Sequence, residues 1–340
     1  MPLVCVVNAC EPTGSLPIDL PDAAPAADAA PDAVPDAVIV AGCIATGPDI
    51  CGDGIDQDCR DGDAVCEPND TPAGAIDVTG GATVTADLLR AHDDLSNAGC
   101  NNDGGNDVFY QVVLAGPEVY YFDTFGSTFD TSVRVFPGVP CSAVATASNP
   151  ACDDDECGGN SSKLALQLPA GASCVVVDKN LNAGLEPLKG AMQLHVVAGG
   201  RTGMALPRRV QTLFGDTCQG VNAMEPPQAL GGCQPAQHAP DLAYYFNACP
   251  NQPALIDAST CANPARTHFD TELYIRSAAG VDLACEDDDQ TCGLRPDRAD
   301  GHPDGSILSA VATRSVGLHW LVVDGFAGAC GRYQLDTNYR

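Results

Sequence analysis

The sequence predicts an all-β protein: two tandem, jelly-roll-like antiparallel β-sandwiches after a disordered Pro/Ala/Asp linker. Three pairs of matching blocks carry this prediction: FDTSVRV at 129–135 with FDTELYI at 269–275, CDDDEC at 152–157 with CEDDDQTC at 285–292, and CVVVD at 174–178 with WLVVD at 320–324. Matching blocks lie about 140 residues apart, the size of an ordinary domain. A repeat of that period indicates two copies of one fold rather than a solenoid.

Composition indicates an oxidising compartment and excludes two classes of partner. The 340 residues include 18 cysteines, far more than a reducing cytosol favours. Asp and Glu number 45 against 16 Lys and Arg, which gives a formal net charge of −29. That charge repels nucleic acid phosphates and anionic headgroups and attracts divalent cations. We therefore expect no nucleic acid partner, and since no apolar run approaches roughly 18 residues, no membrane span.

Residues 1–42 predict an N-terminal segment followed by a stalk. Residues 3–7 are apolar but too short for the core of a signal peptide, and no Lys or Arg precedes Arg60. VNAC at 7–10 is similar to the end of a lipoprotein signal, where Cys10 would carry a lipid anchor; the alternative is an ordinary cysteine. Prolines in the loose Pro-Asp-Ala repeat of residues 11–42 favour an extended chain. We expect an extracellular or cell-surface location on a bacterial outer envelope.

Residues 43–66 form a motif rich in Cys and Asp, with CGDGIDQDCRDGD at 51–63. It resembles the Asp-rich metal-binding repeat of bacterial envelope proteins, the MopE-type repeat, although Arg60 interrupts the family's Cys-Asp-Gly order. Hard oxygens at alternating positions suit Ca²⁺, with Cu²⁺ as the second cation considered. The candidate ligands are Asp53, Asp56, Asp58, Asp61 and Asp63. The alternative is a small disulfide knot with solvated aspartates.

Residues 67–199 carry an ordered series of strand signals. EPNDT opens the series at 67–71, NDVFY follows at 106–110, YFDTFGS leads at 121–127 into the first repeated block, and LALQLPAG and QLHV close it at 164–171 and 193–196. Alternation in VRV and LALQL is typical of half-buried strands. The series resembles the bacterial pre-peptidase C-terminal (PPC) domain, a β-sandwich related to the collagen-binding modules of clostridial collagenases.

Residues 200–340 repeat the series with a weaker opening. DLAYYF at 241–246 matches the aromatic strand, and GFAGACGRYQL at 325–335 matches the family's closing strand. The resemblance implies a calcium site at the opening of the first domain, held by Glu67, Asn69 and Asp70 with Asp103 or Asp107. The alternative is a polar start to the first strand. The second domain keeps only Glu225 of that motif, so we expect calcium there less.

The acidic blocks at 153–155 and 287–289 have two interpretations. They could hold Ca²⁺, which takes six to eight oxygens, or they could be turns, because Asp bonds its own backbone. Local spacing favours disulfides between Cys152 and Cys157 and between Cys285 and Cys292, and a bridge between Cys218 and Cys233 is a further candidate. The two domains hold five and seven cysteines. Because both counts are odd, a bridge must cross a boundary or a thiol must stay free.

No catalytic motif is present, so we expect no enzyme activity. The histidines show no ligand spacing, and no phosphate loop or nucleophile elbow occurs. Trp320 and the pair Tyr244 and Tyr245 could stack on a sugar, or be core. We expect a surface-tethered, non-catalytic adhesion module that binds an extracellular polymer, protein or polysaccharide. The alternatives are an accessory part of a secreted hydrolase system and a metal-binding surface protein.

Overall fold

A computed structural model of the chain describes residues 4–6, 9–11, 43–95, 105–180, 190–227, 230, 232–233, 238–263, 265–294, 304–313 and 315–340. The chain divides into two compact units, Met1–Cys43 and Ile44–Arg340. In the first unit, strands β1 (Val4–Val6) and β2 (Ala9–Glu11) pair antiparallel. Residues 12–42, where we predict the linker, lie outside the described residues. None of the described helices is both long and apolar enough to cross a membrane.

The described residues of the first sandwich (sandwich 1) form nine strands in two sheets. A five-stranded sheet, outer sheet 1, has the order β3-β5-β10-β7-β8, and a four-stranded sheet, inner sheet 1, has the order β4-β11-β6-β9. All pairs are antiparallel except the short β3–β5 pair. The strands are β3 (Ile76–Asp77), β4 (Ala82–Asp87), β5 (Asp107–Leu114), β6 (Glu118–Asp123), β7 (Thr131–Phe136), β8 (Ala151–Asp153), β9 (Lys163–Leu168), β10 (Gly171–Lys179) and β11 (Ala191–Ala198).

The second sandwich (sandwich 2) repeats this topology strand for strand. Its five-stranded sheet, inner sheet 2, has the order β12-β14-β19-β16-β17, and its four-stranded sheet, outer sheet 2, has the order β13-β20-β15-β18. The strands are β12 (Met204–Ala205), β13 (Val210–Asp216), β14 (Leu242–Ala248), β15 (Leu255–Ser259), β16 (Thr271–Ser277), β17 (Asp282–Glu286), β18 (Ile307–Ala312), β19 (Gly317–Gly325) and β20 (Arg332–Tyr339). The predicted all-β class is confirmed.

Helical structure in the described residues is limited to short 3₁₀ segments. They are Pro72–Gly74, Leu88–Arg90, Cys141–Thr146, Thr217–Gln219 and Phe326–Gly328. Asp87 and Asp216 precede equivalent segments in the two sandwiches, and each side chain accepts a hydrogen bond from a backbone N–H of the first turn. Such caps satisfy donors that a helix start leaves unpaired. The repeat therefore extends to the turns.

The repeated blocks occupy equivalent central strands. Val133 pairs with Val177 in sandwich 1, and Leu273 pairs with Val323 in sandwich 2. All four side chains are fully buried between the two sheets of their sandwich. Because side chains alternate along a strand, the intervening residues of the same blocks point out of each sandwich.

The two sandwiches pack against each other through inner sheets 1 and 2. Val119 and Tyr121 of β6 form one apolar cluster with Tyr274, Trp320 and Val322 of inner sheet 2. The structure is thus a stack of four sheets with three apolar layers between them. The proposal that Trp320 and Tyr244 could stack on a sugar is corrected, because both are only 1% exposed: Trp320 lies between the sandwiches and Tyr244 in the core of sandwich 2.

Disulfides cross-link each sandwich and join the two, and no described cysteine is free. The three pairings predicted from local spacing are wrong: Cys157, Cys218, Cys285 and Cys292 each bond a distant cysteine. The disulfides of the described residues include Cys51–Cys66, Cys141–Cys174, Cys157–Cys249, Cys218–Cys330, Cys233–Cys285 and Cys261–Cys292. Cys152 is also disulfide-bonded. Of the two alternatives that the odd cysteine counts leave open, the bridge across the domain boundary exists, as Cys157–Cys249.

The three predicted cysteine pairings are wrong for a physical reason. Sequence spacing measures contour length, whereas a disulfide needs two Cα atoms within about 4.4–6.8 Å and suitably directed side chains. Cys157 lies just after the acidic turn of sandwich 1, and only the tertiary fold brings it close to Cys249 of sandwich 2. Cys157 reaches the second sandwich for this reason, with a Cα–Cα distance of 5.5 Å to Cys249.

Candidate cation sites and binding face

Each sandwich gathers three aspartates at the same end of its five-stranded sheet. In sandwich 1, ligand oxygens of Asp130, Asp154 and Asp155 lie within 4.8 Å of one another, and in sandwich 2 those of Asp270, Asp287 and Asp288 do. The strand register shows that the triplets are equivalent, because Val133 faces Asp153 and Leu273 faces Glu286 immediately before the acidic turn. In each sandwich, the acidic block therefore lies next to the Phe-Asp-Thr motif.

An amide donates hydrogen bonds to the triplet of sandwich 1. The side-chain nitrogen of Asn180 donates to both carboxylate oxygens of Asp154, at 2.7 and 2.9 Å. Burial nevertheless raises the pKa of Asp154, and Asp155 adds to the rise. Asp153 points away from the triplet and accepts the backbone N–H of Lys163 at 2.7 Å. The acidic turn is thus both a structural turn and a convergence of carboxylates.

The triplet of sandwich 2 has a fourth carboxylate beside it. Burial raises the pKa of Asp287 to about 7, and the neighbouring carboxylate of Glu272 is the next largest cause. Glu272 is fully buried and stands where sandwich 1 has Ser132. Asp287 Oδ1 is shielded from solvent and has no hydrogen-bond partner among the described residues. Oxygens held together in this way repel one another until a proton or a cation neutralises them.

The N-terminal motif brings together only part of its predicted ligand set. Asp56 and Asp58 converge with Asp49, which the sequence analysis did not single out. The signal was available, because Asp49 lies two residues before Cys51. Its two carboxylate oxygens accept backbone N–H groups of Gln57 and Ala64, at 2.8 and 2.6 Å. Asp49 therefore fixes the loop as well as contributing an oxygen.

The other three predicted aspartates of this motif lie outside that cluster. Asp53 accepts the backbone N–H of Ile55 at 2.8 Å, and Asp63 accepts that of Gly54 at 2.9 Å. Asp61 is exposed, with a left-handed backbone at φ 59°. It lines an open cleft of about 450 Å³ together with Asp58 and Asp63. These contacts describe a turn-rich knot tied by Cys51–Cys66.

The predicted calcium site at the opening of the first domain is occupied by protein hydrogen bonds. Glu67 accepts the backbone N–H of Asp87 at 2.8 Å, and the Asn69 amide donates to the carbonyl of Phe109 at 3.1 Å. Asp70 bonds both the backbone N–H and the ring Nδ1 of His92, at 2.6 and 2.8 Å. These contacts match the alternative of a polar start to the first strand.

Asp107 does not join that group. It is fully buried at the start of β5, and its Oδ2 accepts the backbone N–H of Leu95 at 2.9 Å. Burial, reinforced by Asp178 across the strand pair, raises the pKa of Asp107 to about 8. In the described part of the chain, neither Glu67 nor Asp107 belongs to a cluster of three or more ligand atoms within 4.8 Å. Asp103 lies outside the described residues.

One Ser–His contact has the appearance of a catalytic pair but lacks access. Ser315 Oγ lies 3.1 Å from His319 Nε2, and His319 Nδ1 lies 2.9 Å from the carbonyl of Gly317. His319 is completely buried and stacks on Phe246 at 5.4 Å. A general base must contact the substrate as well as the nucleophile. The buried imidazole therefore serves packing.

The outward face of outer sheet 2 is polar and carries an exposed ring. Phe214 is 60% exposed and is the only exposed aromatic side chain among the described residues. The Arg266 guanidinium lies 5.6 Å from its ring centre, and Gln334 faces it across the strand pair. The row continues with Asp336, which accepts a hydrogen bond from Thr212 Oγ1 at 2.6 Å. Planar hydrogen-bonding groups thus surround one exposed ring.

The disulfides and the two fused sandwiches define the class: an extracellular, disulfide-bonded tandem β-sandwich protein. No protein-family model matches the chain, and no curated protein matches it. Among solved structures, the CUB1-EGF-CUB2 domain of human MASP-1/3 aligns over 77% of this chain and 100% of its own, at 6% identity and a TM-score of 0.19. A secreted protein from Eubacterium rectale aligns over 76% and 73%, at 11% identity and a TM-score of 0.18.

Proposed function

We propose that this protein is a non-catalytic extracellular module that binds a polysaccharide through the outward face of outer sheet 2. The PPC-like resemblance supports a binding role, because that family is related to the collagen-binding modules of clostridial collagenases. The observation that carries the proposal is the exposed ring of Phe214 set among planar polar side chains. The other aromatic side chains of the described strands pack in a core or in the contact between the sandwiches.

The chemistry of this face suits a sugar polymer. A sugar ring has an apolar face that packs on an aromatic ring, while its hydroxyls take up donors and acceptors at the rim. Gln334 and Asp336 supply both kinds of group beside Phe214. The face is broad and shallow, which matches an extended polymer better than a small enclosed substrate. A net charge of −29 favours neutral or cationic polysaccharides over anionic ones.

Calcium forms part of the proposal. The equivalent triplets give each sandwich three convergent carboxylates, a usual core for a Ca²⁺ site that completes its shell with water and carbonyls. The shielded, unpartnered Asp287 Oδ1 favours a bound cation in sandwich 2. Both triplets lie at the ends of strands that bound the sandwich cores. We expect the ion to stabilise the module, with the sugar contacts made elsewhere.

A glycan array probed with the whole labelled chain tests the binding. We expect binding to a subset of neutral or cationic polysaccharides that is lost in Phe214→Ala. The matched control is Val210→Ala, which removes a still more exposed apolar side chain, at 76%, from the same strand. The array also carries extracellular matrix proteins.

The outcomes separate the candidate functions. Binding to a matrix protein but to no glycan would replace the polysaccharide proposal. Binding unaffected by Phe214→Ala would place the site on another face. Tight Ca²⁺ or Cu²⁺ binding by the motif at 53–63, with no polymer bound, would favour the alternative of a metal-binding surface protein. Enhancement of a secreted hydrolase without binding of its own would favour the accessory role.

A further inference from the structure

A lysine and an asparagine from different sandwiches meet at the buried contact between them. Lys163 begins β9 and Asn247 lies near the end of β14. The ammonium nitrogen Nζ of Lys163 donates to Asn247 Oδ1 at 2.7 Å. The Lys163 side chain is only 5% exposed, which is rare for lysine unless it is paired. The pair lies beside the Cys157–Cys249 disulfide that also joins the sandwiches.

We propose that Lys163 and Asn247 form an intramolecular isopeptide bond that covalently joins the two sandwiches. The lysine Nζ attacks the side-chain carbonyl carbon Cγ of Asn247, and a new N–C bond forms. The bond between Cγ and Nδ2 breaks, and Nδ2 leaves as ammonia after it takes up a proton. An amine and a primary amide thus become a secondary amide and ammonia, so no oxidant, reductant or further reactant is needed.

The geometry places the reacting atoms close together. Because Nζ lies 2.7 Å from Oδ1, a C=O bond of about 1.23 Å limits the Nζ–Cγ separation to about 4 Å. Reacting groups held near 3–3.5 Å gain effective concentrations of about 10⁵–10⁸ M. The disulfide and the apolar contact of Val119 with Trp320 hold the two sandwiches in this position. A small rotation of the lysine chain then suffices for attack.

The surroundings favour the neutral amine that attack requires. Burial lowers the pKa of Lys163, and the Arg208 guanidinium lowers it further, while Glu156 and Asp153 act in the opposite direction. Glu156 Oε2 lies 3.8 Å from Nζ. It is therefore placed to take the proton from the attacking nitrogen and to return it to the departing one. Glu156 is the catalytic carboxylate of this step.

The backbone around Asn247 is fixed, which keeps the amide in place. Tyr339 donates its hydroxyl to the Asn247 carbonyl at 2.5 Å, and Gln252 donates its amide to the Cys157 carbonyl at 3.0 Å. Both contacts lie at the junction between the sandwiches or directly beside it. The isopeptide bond would resist reduction, whereas Cys157–Cys249 would not. It would therefore keep the sandwiches joined where thiols are present.

Intact mass spectrometry of reduced, denatured protein tests the proposal. The whole chain is exported to an oxidising compartment, purified and incubated, and peptide mapping verifies Cys157–Cys249. We expect a mass lower than that of the fully reduced chain by one ammonia. A branched peptide should join the segments that contain Lys163 and Asn247. Deamidation of Asn247 to Asp would change the mass in the opposite direction and is thereby distinguished.

Variants assign the reacting groups. Lys163→Arg and Asn247→Ala should each show their full calculated mass and no branched peptide. The control Lys179→Arg should still show a mass lower by one ammonia. Glu156→Gln should slow formation by about 100-fold or more, the usual effect of removing a general acid–base group. A wild-type chain with the verified disulfide, full mass and no branched peptide would overturn the proposal.

Discussion

Replacing Trp320 with alanine should destabilise the whole two-sandwich body. The indole is 1% exposed and fills the space between the sandwiches. A Cβ added at Gly203 would come within 2.6 Å of the ring, which shows how closely the backbone packs on it. The Arg201 guanidinium lies 5.6 Å from the ring centre, and Tyr245 meets it edge-on at 6.2 Å. Truncation of such a tryptophan costs about 3–5 kcal/mol.

Thermal unfolding of the whole chain measures this cost. For a body of this size, each kcal/mol shifts the Tm by about 2–4 °C, so Trp320→Ala should lower it by roughly 10 °C. Phe214→Ala is the matched control: it also removes an aromatic ring, but one that is 60% exposed, and should cost under about 1 kcal/mol. Equal shifts for the two variants would refute the view that the sandwiches are held together by this apolar layer.

Three further predictions concern the bonds and the carboxylates. Peptide mapping of unreduced protein should find Cys157 linked to Cys249; a Cys152–Cys157 peptide instead would contradict the structure. Burial raises the pKa of Asp324 from its ordinary value of 3.8 to about 8. The native state therefore keeps a proton that the unfolded chain releases, so this group stabilises fully below about pH 4 and loses its effect as pH rises through about 8. Asp324→Asn should flatten the fall in Tm across that window, and an unchanged slope would count against it. Calcium at 100 times its Kd should add about 2.7 kcal/mol per site; Asp287→Asn should remove one increment, and an undiminished rise would exclude that site.

Local patterns predicted the strands well and the contacts between layers poorly. Alternation and the repeated blocks were enough to predict two equivalent sandwiches, because both signals are read within a few residues. They also placed Asp130 and Asp154 in two repeated motifs, but did not bring these motifs into one cluster. That convergence depends on which strands neighbour each other. The burial of Trp320 and the bond of Cys157 to Cys249 depend on the packing of one sandwich on the next, which leaves no periodic signal in the sequence.

The strand register shows that equivalent faces of the two sandwiches are covered in different ways. The position of Trp320 in sandwich 2 is equivalent to that of Cys174 in sandwich 1. Each residue lies three positions before the equivalent valines Val323 and Val177. In sandwich 1 this face is covered by the segment Cys141–Thr146, tied down through Cys174.

In sandwich 2 the corresponding face is covered by sandwich 1 itself. The four-stranded sheets of the two sandwiches also differ from each other. Inner sheet 1 turns Val119 and Tyr121 toward its neighbour, whereas outer sheet 2 presents Gln334, Asp336 and Asn338. We propose that a polymer lies on this polar face of outer sheet 2.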